Sequence, residues 1–282
     1  GGVGLVVGFA HAGIIAPVAA AGRLRPASTY HPGMPAPRRI ELVLRIDGEA
    51  LRVSAPQPPA RARLDELLPA MQAIDNSAID HAVRKAEANT GARVTCAKGC
   101  SACCRAQPVP VTPPEAHALL LLVEAMPAPR RRELEARFAD RVERLRDAGL
   151  ADAFLHRDPA LDADGARTLA RDYFALGLVC PFLQDDACSI HPQRPFVCRQ
   201  YLVTSDPALC ADPFANPVDV IPMPLQAATA MLSAASQAMA TPQHTVPLTL
   251  ALEHARAHRE ALRQRVDAEP IFRHWLQALS SG

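Results

Sequence analysis

Four of the chain's eight cysteines fall within nine residues, CAKGCSACC at 96–104: Cys96, Cys100, Cys103 and Cys104. The other four, Cys180, Cys188, Cys198 and Cys210, lie in or just beyond CPFLQDDACSIHPQRPFVCRQY at 180–201. A disulfide framework staples distant loops, whereas a metal centre concentrates its ligands. Closely spaced thiolates suit zinc, copper(I) or iron–sulfur centres. Charged thiolates repel one another, so a cation must hold them together or most stay protonated. Lys98 and Arg105 flank the first block and favour thiolate formation. If that block is helical, Cys96, Cys100 and Cys103 or Cys104 share one face. If it is a loop, Gly99 allows the tight backbone that wraps a centre. Structural zinc usually takes ligands paired two to four residues apart, twice over. The first block fits that spacing. The second does not, with seven and nine residues between Cys180, Cys188 and Cys198. Wide spacing in a cysteine-only set is more usual for iron–sulfur ligation. An iron–sulfur cluster is therefore the preferred cofactor, with zinc the alternative. Eight thiols allow one four-iron cluster with thiols to spare, or two metal sites.

The two blocks together resemble the YkgJ-type cysteine-cluster family, also described as a zinc- or iron-chelating domain. The shared elements are C-x3-C-x2-CC (Cys96, Cys100, Cys103, Cys104), Cys180-Pro181-Phe182-Leu183, Cys188, Arg194-Pro195, Cys198-Arg199 and Tyr201. The resemblance covers residues 92–205. His191 stands where the family more often has Tyr, and Cys210 lies beyond the core pattern. The resemblance implies metal or cluster binding. A related group with this cysteine pattern is described as flagellin lysine N-methylase, which keeps an enzymatic role open. The spacing of Cys96, Cys100 and Cys103 is also that of radical S-adenosylmethionine enzymes, which resemble partial or full βα barrels with the motif just after the first strand. Here about 60 residues of mostly helical pattern precede it, no βα series follows, and Ala102 replaces the usual aromatic.

Other polar residues are expected to be structural. Asp185 and Asp186 read as turn residues. His254 and His258 have the i, i+4 spacing of metal-binding pairs. Without a zincin-type Glu they are expected to be solvated surface residues. His117 lies in an apolar run and is expected to be packed or capping. Arg194 and Arg199 are placed to offset the negative charge of an all-thiolate centre. Phe196 and Tyr201 are expected to shield it from water. No P-loop, dinucleotide fingerprint or serine nucleophile elbow is present.

The elements that must carry these residues follow from periodicity. IELVLRIDGEALRVS (40–54) alternates apolar and polar residues about Asp47-Gly48, a hairpin signal. Leu64, Leu67, Leu68, Met71 and Ile74 recur at helical spacing, and Asn76-Ser77 is expected to split this stretch into two helices before a stop at Gly91. Thr112, Pro113 and Glu115 form a capping box opening a helix over 112–126. Leu134, Phe138, Val142 and Leu145 mark one face of a helix over 128–147. Further helical stretches are 166–178, 225–240, 248–266 and 271–279, and PFLQDDA reads as a tight hairpin with Gln184, Asp185 and Asp186 in its turn.

The expected fold is mainly α: an irregular helical domain around a cysteine-rich metal centre, with one short hairpin near the N-terminus and another at the second cysteine block. The expected layout is a non-native or disordered leader (1–33), a hairpin and Pro-rich linker (34–60), and a helical domain (61–282) with its cysteine core at 92–210. Residues 1–22 are apolar but lack a basic n-region and barely meet the length of a membrane span. Net charge is +1, so no global field draws in nucleic acid or an anionic membrane. The expected partner is a metal ion or cluster, with no nucleic acid, no membrane and an unknown protein partner. The expected location is the cytoplasm. The leading function is metal or iron–sulfur binding in a structural, redox or sensing role. The alternatives are a cluster-dependent enzyme resembling a protein lysine N-methyltransferase, and a metal-free thiol redox switch.

Overall fold

The computed structural model describes residues 38–279 except 157 and 159, so the leader expected over 1–33 lies outside the described residues. In chain order the longer elements are β1 (Arg39–Ile46), β2 (Glu49–Pro56), β3 (Arg61–Ala62), α1 (Leu68–Thr90), α2 (Ala102–Ala106), β4 (Pro110–Val111), α3 (Pro113–Glu124) and α4 (Ala128–Asp147). They continue with α5 (Ala151–Leu155), α6 (Ala163–Ala175), β5 (Leu183–Gln184), β6 (Ala187–Cys188), α7 (Phe196–Gln200) and α8 (Ala227–Met239). The last are β7 (Val246–Pro247), α9 (Ala251–Ala257), α10 (Arg259–Leu262), β8 (Val266–Asp267) and α11 (Ala268–Ala278). The architecture is mainly α, and the sheets among the described residues are antiparallel pairs of two strands.

Ile46 pairs with Glu49, leaving Asp47-Gly48 as a two-residue turn with φ of 50° and 84°. That turn type needs positive φ at both positions, which Asp tolerates and Gly accepts freely. The alternating residues Leu42, Leu44, Ile46, Val53 and Ala55 are buried against α1. Behind α1, the same core takes in Met231 and Ala234 of α8 and Ile271, Trp275 and Leu276 of α11. The hairpin therefore shares a core with the helices that follow it.

α1 is one helix, not the two expected. Ser77 Oγ donates back to the Ala73 carbonyl one turn earlier (3.0 Å), a bond made within a continuous helix, and Asn76 Oδ1 accepts from Arg199 (3.2 Å) rather than from its own backbone. Gly91 ends the helix with φ of 71°.

A second core joins α3, α4, α6 and α9. Leu134, Phe138, Val142 and Leu145 of α4 are all buried, as their spacing predicts. The helix expected over 248–266 is broken. A 3₁₀ turn covers Leu248–Leu250, His258 leaves the helical region between α9 and α10 (φ −106°, ψ 20°), and Val266 pairs in β8 with Ala62. His254 is also not a surface residue. It is 3% exposed, and burial, then His258 and His244, push its imidazole down to about 4.

Candidate metal centre

The cysteine segments lie at the seam of the two cores. Phe182, two residues after Cys180, meets Phe138 of α4 edge-on at 5.3 Å in the second core. Phe196, two residues before Cys198, stacks on Trp275 in the first core at 6.4 Å. Each aromatic is fully buried and pins its cysteine segment to a different support. Phe196 is thus a core anchor.

Backbone hydrogen bonds bring the two blocks together. Thr95 N–H donates to the Val203 carbonyl (3.0 Å), and its hydroxyl reaches the Ser205 carbonyl (2.7 Å). Cys180 N–H donates to the Cys104 carbonyl (2.7 Å), joining the last cysteine of one block to the first of the other. α2 lies against the 3₁₀ turn Pro207–Ala211, which carries Cys210.

Only part of the first block is helical. Cys96 and Cys100 lie in a loop, closed by Cys100 N–H to the Ala97 carbonyl (3.0 Å) around Gly99 with φ of 94°. Cys103 and Cys104 open α2. Cys188 sits on β6 opposite Leu183, and the turn is Asp185-Asp186, both at positive φ (48° and 54°), with Gln184 in the strand. The Asp186 carboxylate accepts from Ser101 Oγ (2.8 Å) and from Arg105, tying this turn to the first block. Its charge therefore faces a guanidinium.

The eight cysteines are free thiols; Cys210 is buried and the rest are half-buried. Cys103 is their electrostatic hub. It interacts with Cys104, Cys96, Cys180, Cys188, Cys198 and Cys210. A hydrogen bond to Cys104, then burial, pushes the Cys103 thiol far up. Burial pushes Cys180 up to about 12, and raises Cys96, Cys188, Cys198 and Cys210. Unassisted, these thiols hold their protons, because thiolates here would be desolvated beside one another. Among the described residues, no three His, Cys, Asp or Glu side chains stand around a common point as a metal shell would.

The two arginines divide their roles. Arg194 faces Cys96, Cys103 and Cys188, and its buried Nε has no hydrogen-bond partner. A buried guanidinium edge left unpaired is costly and suits an anionic centre. Arg199 does not serve that purpose mainly. It donates to the Arg194 carbonyl (2.8 Å), Asn76 and Gln72 (3.1 Å), and its charge faces Asp75 and Glu115 before Cys198. Tyr201 contacts Cys210 and Gln107 through its hydroxyl.

Sequence reasoning found Glu115 only as a cap. Its Oε2 accepts from Thr112 N–H (2.9 Å) and Oγ1 (2.8 Å), while Oε1 accepts from Phe196 N–H (2.7 Å). One fully buried carboxylate thereby starts α3 and α7 together. Asp75 was missed. It is 0% exposed, accepts from Gln200 (2.7 Å), and burial pushes its carboxyl up to about 7. No local signal marks it, since it occupies an ordinary helical position whose partner lies 125 residues away. His117 is packed as expected, 1% exposed, with Nδ1 at 3.0 Å from Asp65.

A pocket of about 360 Å³ opens on the other side of this segment. Gln193 and Pro195 line it, with Glu115, Asp65 and Gln72 as polar walls and Leu68, Leu119 and Leu122 as apolar ones. Arg194, between the two lining residues, faces the thiols instead.

Residues 95–213 match the family model CxxCxxCC, described as "Putative zinc- or iron-chelating domain". This is the family that the two cysteine blocks resemble, and the match runs on past Cys210. No curated protein and no solved structure matches the chain. Among the described residues, no helix is long and apolar enough to cross a membrane.

Proposed function

We propose that residues 95–213 hold an iron–sulfur cluster through thiolates drawn from Cys96, Cys100, Cys103, Cys104, Cys180, Cys188, Cys198 and Cys210, in a redox, sensing or structural role. What supports this reading is the backbone bond from Cys180 N–H to the Cys104 carbonyl, which joins the two cysteine blocks, with Arg194 turned towards Cys96, Cys103 and Cys188. The donor set fits such a group in kind. Sulfur-only ligands from several loops are the usual holders of iron–sulfur clusters. Thiols bind metal as thiolates, and a bound cation offsets both the burial and the mutual repulsion that oppose their ionisation. When bound, a cluster supplies a one-electron couple. The chain's own part is to hold the segments in place, through Cys180 N–H to the Cys104 carbonyl, Thr95 to Val203, and Glu115 to Phe196. The buried Arg194 edge offsets negative charge.

The preference over zinc rests on the number and spread of the thiols, since a closed zinc site uses four ligands. Anaerobic purification with metal and sulfide analysis and a visible spectrum tests the assignment. Brown protein with iron and acid-labile sulfide is expected; colourless protein with stoichiometric zinc overturns it.

The pocket on the far side of the 193–195 segment is the observation behind a second reading, a cluster-dependent enzyme of the lysine N-methylase kind that the family resemblance left open. Its lining residues alternate with a residue that faces the thiols.

A further inference from the structure

Two arginines of α4 reach the backbone around Cys180. Arg141 Nε donates to the Val179 carbonyl (3.1 Å). Arg137, one helical turn earlier, donates through one Nη1 to the carbonyls of Pro181 (3.2 Å) and Leu183 (3.0 Å). Its Nη2 donates to Glu133, also on α4 (2.6 Å), which braces the fork. The Cys180 carbonyl accepts from Leu183 N–H (3.0 Å), and the Phe182 carbonyl from Ser189 N–H (3.0 Å) and Oγ (2.8 Å). Every carbonyl from Val179 to Leu183 therefore has a donor, although only Leu183 belongs to a regular element.

The two guanidiniums act on alternate peptide units. A trans peptide is planar, so its C=O and N–H point to opposite sides. The unit whose carbonyl Arg141 holds carries the Cys180 N–H, which donates to the Cys104 carbonyl (2.7 Å) in the first cysteine block. The unit whose carbonyl Arg137 holds carries the Phe182 N–H, which faces the Cys180 sulfur. The Leu183 N–H faces the same sulfur. Partners that orient a ligand, and hydrogen bonds to ligand sulfur, set a metal centre's affinity and potential.

We infer that Arg137 is a positioning residue for the metal centre, turning the Phe182 N–H onto the Cys180 sulfur, while Arg141 turns the Cys180 N–H towards the first cysteine block. This role rests on the reading that Cys180 is a ligand. Neither arginine is itself a ligand; each works through a peptide plane.

Arg137→Gln removes the charge and the fork, and Arg137→Lys keeps the charge alone. Each variant of the full chain is purified anaerobically with its bound metal, and release to a coloured metal chelator is timed. Both should release metal roughly 10- to 100-fold faster than the parent. Where iron is bound, the reduction potential should fall, because a sulfur that loses an N–H donor is richer in electrons. Arg144→Gln is the control. It removes a bond of the same kind to the Leu176 carbonyl (2.6 Å), further from Cys180, and should leave release and potential as in the parent. Release at the parent's rate from either Arg137 variant overturns the role, as does equally fast release from Arg144→Gln. Faster release with an unchanged potential, the mark of a merely structural contact, also overturns it. Metal analysis of the parent judges separately what the cysteines hold. A parent without metal overturns both readings, whereas a loaded parent with parent-like variants overturns only the role of Arg137.

Discussion

Helices α1, α8 and α11 bury Leu68, Met71, Ile74, Met231 and Trp275 on long regular elements, and the hairpin lays Leu42, Leu44 and Ile46 over them. The cysteine segments contain nothing comparable. α2 and α7 are five residues each, β5 and β6 two each, and seven of the eight thiols are only half-buried. Isolated helices shorter than about 12 residues are marginal in water, and so are two-stranded hairpins. The first region is held by apolar burial. The second hangs between two cores from Phe182, Phe196 and a few backbone bonds. The difference teaches that the order of the cysteine segments should depend on what their thiols bind, while the order of the core should not.

The largest expected effect tests that directly. Cys180→Ser removes one proposed ligand and keeps the volume. It should lose the bound metal, and amide exchange should quicken at Cys180's own position and at Thr95, whose N–H groups join the blocks. Metal binding free energy reaches about 10–16 kcal/mol for structural zinc in zinc-finger peptides, so loss of a centre should loosen these short segments. Amides of α1 should keep their protection. If α1 loses protection equally, the two regions form one cooperative unit and the contrast fails.

Trp275→Ala attacks the other region. Trp275 is fully buried, stacks on Phe196 and Phe272, and donates to the Ala227 carbonyl (3.2 Å). Truncating such a side chain costs about 3–5 kcal/mol. Denaturant unfolding should show that loss, with metal content per folded protein unchanged. Metal lost in proportion would show that Phe196 transmits core packing to the centre.

What could be read from sequence follows the same division. The α4 face, the Asp47-Gly48 hairpin, the Thr112–Glu115 capping box and the stop at Gly91 are local, and each is present. They rest on periodicity and backbone preference, which act within a few residues. The cysteine blocks were legible because their spacing is itself the signal. Asn76, Asp75 and His254 were not, because tertiary partners decide their state. Asn76 is taken up by Arg199, Asp75 by Gln200, and His254 by two other rings. Glu115 shows both sides, being local to Thr112 and distant to Phe196.

The effect with the smallest slope, read only across a pH series, concerns the residue joining the two regions. Asp75 lies on α1 in the first core, yet accepts from Gln200, two residues past Cys198, and its second oxygen is buried without a partner. Burial, first among its causes, raises its pKa from 3.8 to about 7. An acid with a raised folded pKa binds a proton in the native state that the unfolded chain has released. Its stabilising share is therefore full below about pH 4 and is lost as pH rises towards 7, at no more than about 1.4 kcal/mol per pH unit. Asp75→Asn keeps the shape and the Gln200 contact while removing the titration. The stability of the variant minus that of the parent should grow from pH 4 to pH 7 and level off above, and taking this difference cancels Glu115 and His254, which titrate in both. A flat difference across that window would mean that Asp75 is charged in the fold, and that the Gln200 contact joins the regions through an ion rather than a neutral acid.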